Sequence, residues 1–384
     1  MPEDHNPTLT DQQRQIRHAA RAFAAKEIAP FALEWDRQGG APSDIYRKLG
    51  AAGFMGMLTP EDHGGSGLDF VSYVLATEAI SGADGGICNV MNANNSPVCA
   101  AIADHGSEAQ RRELLPRLAR GEINAAFALT EPQAGSDASN LRTTAVRQGD
   151  RYILNGRKHF ITAGQSAALT MIVAVTDPSA GKKGMSCFLV PTDTPGYTVA
   201  RLEDKLGHRT CDTAELLFDD MAVPAETLLG AEGDGYRIAL AYLEGGRIGV
   251  AAQAVGAAQR AFDEALAYAR ERETFGKPII DHQGLTFKLA DMATQVEAAR
   301  QMVLHAARMK DAGLPSLKAA SMAKLFATDM AEQVCSEAVQ VFGGYGFCHG
   351  AVEKTFRDCR IYKIYEGTNE IQRLVIGREL QAGN

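Results

Sequence analysis

The 384-residue chain lacks the glycine signatures that wrap nucleotide phosphates. No strand-like run leads into G-x-G-x-x-G, and G-x-x-x-x-G-K-[ST] is absent. Gly230-Ala231-Glu232-Gly233-Asp234-Gly235 has the wrong spacing and reads as a loop before a helix. A Rossmann dehydrogenase is disfavoured, and a bound dinucleotide would have to lie between domains. CxxC and HExxH are missing too, so no metal is expected. The seven cysteines are scattered and odd in number, which argues for reduced thiols in a cytosolic or matrix-like compartment. No apolar run approaches the roughly 18 residues a membrane helix needs. Met1 to Asp11 is polar, with neither an apolar h-region nor Arg-rich transit character. The expected location is the bacterial cytoplasm, or a mitochondrial matrix after processing. The net charge of −8 comes without a basic block, so nucleic acid is a poor partner. No membrane association is expected, and no internal repeat stands out.

What is present divides the chain in three. Residues 1–124 read as an N-terminal helical domain. Ile16, Ala19, Ala20, Phe23 and Ala24 form an amphipathic stretch ending near Pro30, and Ser43-Asp44 open a second helix that Gly53 closes. Phe70 to Ile80 and Val90 to Ile102 continue the helical pattern. Residues 125–228 change to short β runs between Gly, Pro and Asp turns. Thr143 to Val146 and Tyr152 to Leu154 flank a Gly149-Asp150 turn as a hairpin. Met171–Val175, Ser186–Val190 and Ala214–Phe218 add strands to a compact, barrel-like β-domain. Residues 229–384 carry heptad seams. Leu285, Leu289, Met292, Val296, Ala299, Val303 and Ala306 form one. Ala319, Met322, Phe326, Met330, Val334, Ala338 and Val341 form another. A third runs through Ile248, Ala251, Val255, Ala258, Phe262, Ala265 and Ala269. This predicts a C-terminal four-helix bundle, so the chain is mostly α with a central β-domain.

Four segments carry candidate chemistry. In Ile364-Tyr365-Glu366-Gly367-Thr368-Asn369-Glu370-Ile371-Gln372-Arg373 a carboxylate precedes a glycine and a new helix. Asn369 and Gln372 have the spacing of a capping box with Asn in place of Ser or Thr. A kinked connection there points Glu366 off the helix axis, although spacing alone equally describes a solvated turn residue. Leu129-Thr130-Glu131-Pro132-Gln133-Ala134-Gly135-Ser136 is a strand exit in which Gly135 lets backbone approach a flat ligand. Arg272 with Thr274-Phe275-Gly276-Lys277-Pro278, then His282-Gln283, puts a bidentate phosphate donor at a helix end, where it equally complements the macrodipole. Gln340-Val341-Phe342-Gly343-Gly344 is a glycine turn that also serves as a C-cap.

In this order and spacing the four segments resemble the acyl-CoA dehydrogenase family of flavoproteins, over nearly the whole chain. The nearest likeness is to members acting on short straight or short branched acyl groups. The resemblance implies FAD as cofactor, an acyl-CoA substrate, an electron-transfer flavoprotein as acceptor and a homotetramer. By that resemblance Phe127, Leu129, Thr130, Gly135 and Ser136 contact flavin, with Ser136 also near the thioester. In Lys158-His159-Phe160-Ile161-Thr162-Ala163-Gly164, Phe160 packs on the ring system and Thr162 bonds near N5, with Ile161 between them. The family often has Asn where Ala163 stands. Arg272 meets the FAD pyrophosphate of a neighbouring subunit, with Thr274, Phe275, His282, Gln283, Gln340, Gly343 and Gly344 around it and Thr368 and Asn369 also at the cofactor. Glu244-Gly245-Gly246-Arg247, read as the opening of a helix, contacts acyl-CoA, with Arg247 near the pantetheine. Gly367 and Arg373 are further substrate contacts.

The implied reaction removes a Cα proton and a Cβ hydride from a saturated acyl thioester, giving the trans-2-enoyl-CoA, with Glu366 as the base. In some relatives the base comes from the position held here by Gly246. Glu244 is displaced from it by about 200° around a helix and should not substitute. Substrate binding should expel water around Glu366 and raise its pKa, outweighing the following helix N-terminus. Two other readings stay open: a flavin oxidase or monooxygenase of the same fold that reacts with O₂, and a non-catalytic helical protein. For the acyl chain, Met91-Asn92-Ala93-Asn94-Asn95-Ser96 resembles butyryl-specific members. Ser321 to Asp329 and the Gly245-Gly246 pair resemble isobutyryl-acting ones.

Overall fold

The computed structural model describes residues 8–383; residues 1–7, part of the polar N-terminal stretch weighed above, and residue 384 lie outside the described residues. The first part holds seven α-helices: α1 (Asp11–Phe23), α2 (Ala32–Gln38), α3 (Asp44–Ala51), α4 (Phe70–Ala83), α5 (Gly85–Ala93), α6 (Ala100–His105) and α7 (Glu108–Ala119). A capping box starts α1: Gln13 N donates to Thr10 Oγ1 at 3.2 Å, and Thr10 N donates to Gln13 Oε1 at 3.0 Å. Helix α4 is apolar around nearly its whole circumference and is buried from Phe70 to Glu78. Such a helix must be covered on several sides, and α4 packs against α1 and the bundle helices.

The middle part is one sheet of β1 (Ala125–Ala128), β2 (Thr144–Gln148), β3 (Arg151–Thr162), β4 (Leu169–Val175), β5 (Met185–Pro191), β6 (Tyr197–Leu202), β7 (Thr213–Pro224) and β8 (Leu228–Leu229). The order is β6-β7-β3-β2-β4-β5-β8, with β1 parallel to β4. The expected β2–β3 hairpin is present, with Gly149 at φ 65° in its turn. Strands β6 and β8 end the order and do not pair with each other, so the barrel-like expectation becomes an open mixed sheet.

The last part contains α8 (Gly235–Glu271), the short pair β9 (Glu273–Thr274) and β10 (Lys277–Pro278), α9 (Gln283–Asp311), α10 (Leu317–Phe342), α11 (Gly344–Phe347), α12 (Ala351–Cys359) and α13 (Asn369–Gln381). Helices α8, α9 and α10 pack mutually, and α13 lies on α10. The α9 and α8 seams are buried as expected apart from half-buried Leu285 and Phe262. The α10 seam is corrected in its first turns. Met322 and Phe326 are exposed, and Ala320, Ala323 and Ala327 face inward instead. The alanines win because three helices converge there and leave no room for larger side chains. One hydrophobic core runs through α1, α4, β3, β7, α8, α9 and α10, so the three parts share an interior. Among the described residues no helix is long and apolar enough to cross a membrane. All seven cysteines are free, six of them buried.

Candidate active site

Glu366 and Gly367 form the connection into α13, with φ of 54° and 85°. The left-handed backbone kinks the chain as the sequence suggested, and a non-glycine residue there needs outside support. The capping expectation is corrected by one residue. Thr368 is the N-cap, its Oγ1 accepting from Ile371 N at 3.4 Å. Gln372 instead turns back, its Nε2 donating to Gly367 O at 2.8 Å and Glu366 O at 3.3 Å.

The kink delivers the Glu366 carboxylate onto α8. A Cβ on Gly246 would lie 2.7 Å from Glu366 Oε2. That oxygen is shielded from solvent and has no hydrogen-bond partner, as is Arg247 Nε beside it. Burial raises the Glu366 carboxyl to about 7, with Arg247 and Lys324 pulling it back. Burial already dominates before any substrate enters. Contrary to the sequence expectation, the Glu244–Arg247 segment does not open a helix; it lies about a third of the way along α8. Glycine is tolerated inside that helix because a neighbouring side chain fills the space a Cβ would take. Arg247 is a charged neighbour of Glu366. Its Nη1 donates to Ser321 Oγ at 3.4 Å. Glu244 is held away by Ser316, whose hydroxyl it accepts.

The two middle-part segments meet. His159 N donates to Thr130 O at 2.9 Å, joining the β1 exit to β3. The β3–β7 register shifts between Lys158 and Ile161, and Phe160 sits in that irregularity with φ 58° and 60% exposure. The bulge turns an aromatic face outward, with His159 stacked at 3.9 Å. Thr162 Oγ1 accepts from Asn89 Nδ2 of α5 at 3.2 Å. Phe127 and Thr130 are half-buried and Gly135 and Ser136 exposed on the same edge. The side chains of Leu129 and Ile161 are buried.

A second region forms around the α8 C-terminus. Arg272, Thr274, Gly343 and Gly344 line a hollow of ≈ 460 Å³. A Cβ at either glycine would meet nothing within 4 Å. Arg272 makes no ion pair among the described residues. His282 Nε2 contacts Thr274 O at 3.2 Å and holds the β9–β10 turn, where Phe275 is 97% exposed. Gln283 and Gln340 are exposed nearby. Asn369 is buried and bonds Lys324, Thr328 and Asp329. Arg373 pairs with Asp329 at 3.3 Å on the exposed side.

Of the buried lysines, Lys158 and Lys324 lie at the candidate site, and the sequence reading gave neither a role. Lys158 Nζ donates to Leu129 O at 3.0 Å, Glu131 Oε1 at 2.8 Å and Val173 O at 2.7 Å, tying β1, β3 and β4 together. Lys324 lies behind the Glu366 connection. A lysine in register with small residues, as Lys324 is with Ala320 and Ala327, was the available signal. His159, Glu203 and Glu215 bring three possible metal ligands within 4.8 Å, but Arg201 and Arg157 already engage the carboxylates.

Models of the N-terminal, middle and C-terminal domains of acyl-CoA dehydrogenases match residues 10–122, 126–221 and 233–381. The chain is 46% identical over 376 residues to an acyl-CoA dehydrogenase of Bacillus subtilis, covering 98% of this chain and 99% of the relative. Butyryl-CoA dehydrogenase from Megasphaera elsdenii has a similar structure, with TM-score 0.95, 43% identity, and coverage of 98% and 100%. A chain in a structure of the electron transferring flavoprotein of Acidaminococcus fermentans, concerned with flavin-based electron bifurcation, gives TM-score 0.96 at 47% identity, covering 98% and 99%.

Proposed function

The chain belongs to the acyl-CoA dehydrogenase family, and on that premise we propose that it oxidises short acyl-CoA thioesters, straight or branched, with Glu366 as the base. The observation that carries this reading is the Glu366 carboxylate itself. It is desolvated, unpartnered at Oε2, raised to about 7, and seated against a glycine that leaves space for it.

FAD is the cofactor of the family. The residues present fit it: an outward aromatic at Phe160, an unpaired Arg272, and open glycines at 343 and 344. Thr130 and Thr162 would take the flavin edge, and Arg272 with Gly343 and Gly344 the pyrophosphate, shared between subunits. When bound, FAD supplies a hydride acceptor that no side chain can replace.

The protein's own part is proton transfer and positioning. Glu366 Oε2 takes the Cα proton, and the carboxyl then carries it. The Cα proton of a thioester is far less acidic than a carboxylic acid, so charge on the thioester oxygen must be stabilised as it forms. The backbone N–H of Glu366 is the donor assigned to it. A base near 7 is better matched to that proton than an ordinary carboxylate.

A short acyl chain is supported by what lies further along α8. Tyr365 Oη donates to Gln253 Oε1 at 2.5 Å, two turns from Gly246. Tyr73 Oη stands 3.0 Å from a Cβ on Gly249. In this reading these groups would close the acyl end of the site.

A homotetramer is supported by apolar surface that one chain leaves open. Phe275, Tyr345, Phe347, Leu374 and Leu380 are all exposed. An electron-transfer flavoprotein is the proposed acceptor. The test is anaerobic mixing of the flavoprotein with butyryl-CoA. Rapid bleaching of the flavin that Glu366→Gln abolishes, with slow reoxidation by O₂, is expected. Near-wild-type bleaching by Glu366→Gln would overturn the role of Glu366, and rapid reoxidation by O₂ would identify an oxidase.

A further inference from the structure

The geometry points to Lys324 as a positioning residue for the base: its ammonium holds the Glu366–Gly367 turn in its left-handed form and serves as the counter-charge to the Glu366 carboxylate. This rests on the reading of Glu366 as the base.

Lys324 belongs to α10 and is 0% exposed. Its Nζ donates to Gly367 O at 2.9 Å and to Asn369 Oδ1 at 2.9 Å. The first acceptor is the carbonyl of the turn, and the second belongs to the first residue of α13. One ammonium therefore grips the chain on both sides of the N-cap Thr368. Gln372 Nε2 also donates to Gly367 O at 2.8 Å, so this carbonyl accepts twice. Two consecutive residues with positive φ are costly for a non-glycine at 366, and a doubly bonded carbonyl is what resists relaxation. Asn369 is itself fixed by Thr328 and Asp329 of the same α10, so the acceptors of Lys324 cannot drift.

The charge argument is separate from the geometric one. Both acceptors of Lys324 are neutral oxygens. A buried ammonium without a counter-ion is strongly disfavoured. The charged groups facing it are Glu366 on the connection, Arg247 on α8, Asp329 on α10 and Glu370 on α13. Asp329 is already engaged by Lys363 at 2.9 Å and Arg373 at 3.3 Å, and Glu370 is exposed. Arg247 repels Lys324. Glu366 is thus the remaining buried carboxylate for Lys324 to balance. Burial lowers Lys324 to about 7, where burial has raised Glu366 to about 7. The charge of each favours the charged form of the other.

The experiment compares Lys324→Met, Lys324→Arg and Gln372→Met as purified holoenzymes, reading flavin content, kcat, KM and the pH profile of flavin bleaching by butyryl-CoA. Loss of the cation should raise the Glu366 pKa, so in Lys324→Met the acid limb should move by about one pH unit toward alkaline pH. Its kcat at pH 7 should fall at least about tenfold, with KM within about threefold, because the base is displaced and less ionised. Lys324→Arg keeps the charge and should restore the limb. Gln372→Met loosens the turn without touching the charge, so kcat should fall while the limb stays. If Lys324→Met does not fold, Lys324→Gln carries the same expectation for the limb. An unmoved limb in a neutral variant, or a limb in Lys324→Arg displaced as far as in Lys324→Met, overturns the inference. Glu366→Gln separates the two levels. If it keeps turnover, the base assignment fails; if it is inactive while Lys324→Met keeps the wild-type limb, only the role of Lys324 fails.

Discussion

Gly246 and Glu366 share one space: a Cβ on residue 246 would lie 2.7 Å from Glu366 Oε2 and 3.0 Å from its Cδ. The glycine is in mid-helix, where it costs roughly 1 kcal/mol relative to alanine. Here the missing side chain is what seats the carboxylate. Gly246→Ala should therefore retain flavin and lose flavin reduction by substrate, by about tenfold or more, since small misplacements of a reacting group are expensive. Stopped-flow bleaching at saturating substrate checks this. An alanine variant as fast as wild type would show that the carboxylate acts from another position.

Glu366→Gln should make the folded protein more stable at pH 8. The folded carboxyl is raised to about 7, against 4.5 ordinarily, so its ionisation opposes folding. Nothing is lost below pH 4.5; stability declines as pH rises from there to about 7 and is level above. The amide escapes a penalty of roughly 3 kcal/mol. Thermal melts of both proteins should converge at the acid end, separate between about pH 4.5 and 7, and keep a constant gap above that. A gap independent of pH would contradict the burial argument.

The same value sets the pH profile. The base must be ionised, so kcat/KM should rise with pH and level off above about 7. A limb near 4 to 5 would mean that Glu366 is solvated in the free enzyme.

Arg272→Ala should weaken FAD retention and assembly together, because Arg272 lines an open hollow with no internal ion pair and is assigned to a site shared between subunits. Flavin content after dialysis and size-exclusion mass measure the two. Full flavin occupancy would remove the assignment, and flavin-free protein of unchanged mass would remove the coupling.

Activity should peak with acyl chains of about four or five carbons. Each buried methylene contributes roughly 0.8 kcal/mol until the cavity is full, after which further carbons clash. A series of acyl-CoAs from acetyl to octanoyl should show a maximum in kcat/KM. Highest values with octanoyl-CoA would show that the Tyr365–Gln253 pair does not close the cavity.

Much of the fold was legible because its periodicities are strong. The α8 and α9 seams were buried as read, and the β2–β3 hairpin has its expected turn. The errors have local causes. At the start of α10 the apolar bulk of Met322 and Phe326 suggested the core, while close helix packing admitted only alanine. At the α13 start, Thr368 and Asn369 are both good caps, and Asn369 was already claimed by Thr328 and Asp329. The Gly245-Gly246 pair looked like a helix opening because glycine usually breaks helices. Its tolerance there depends on a side chain 120 positions away in sequence.

By itself the sequence determined the elements, the family, the carboxylate beside a glycine and the arginine before a glycine turn. These are written in short-range patterns and residue types. Only the tertiary structure decided that Glu366 lies against Gly246, that Arg247 and Lys324 are its charged neighbours, and that Arg272 faces Gly343 and Gly344. The physical reason is burial. The pKa of a carboxylate and the cost of an unpaired ammonium depend on how much water neighbouring elements exclude. That quantity is created when α8, α10 and the turn before α13 close on one another, and no single stretch of the chain carries it.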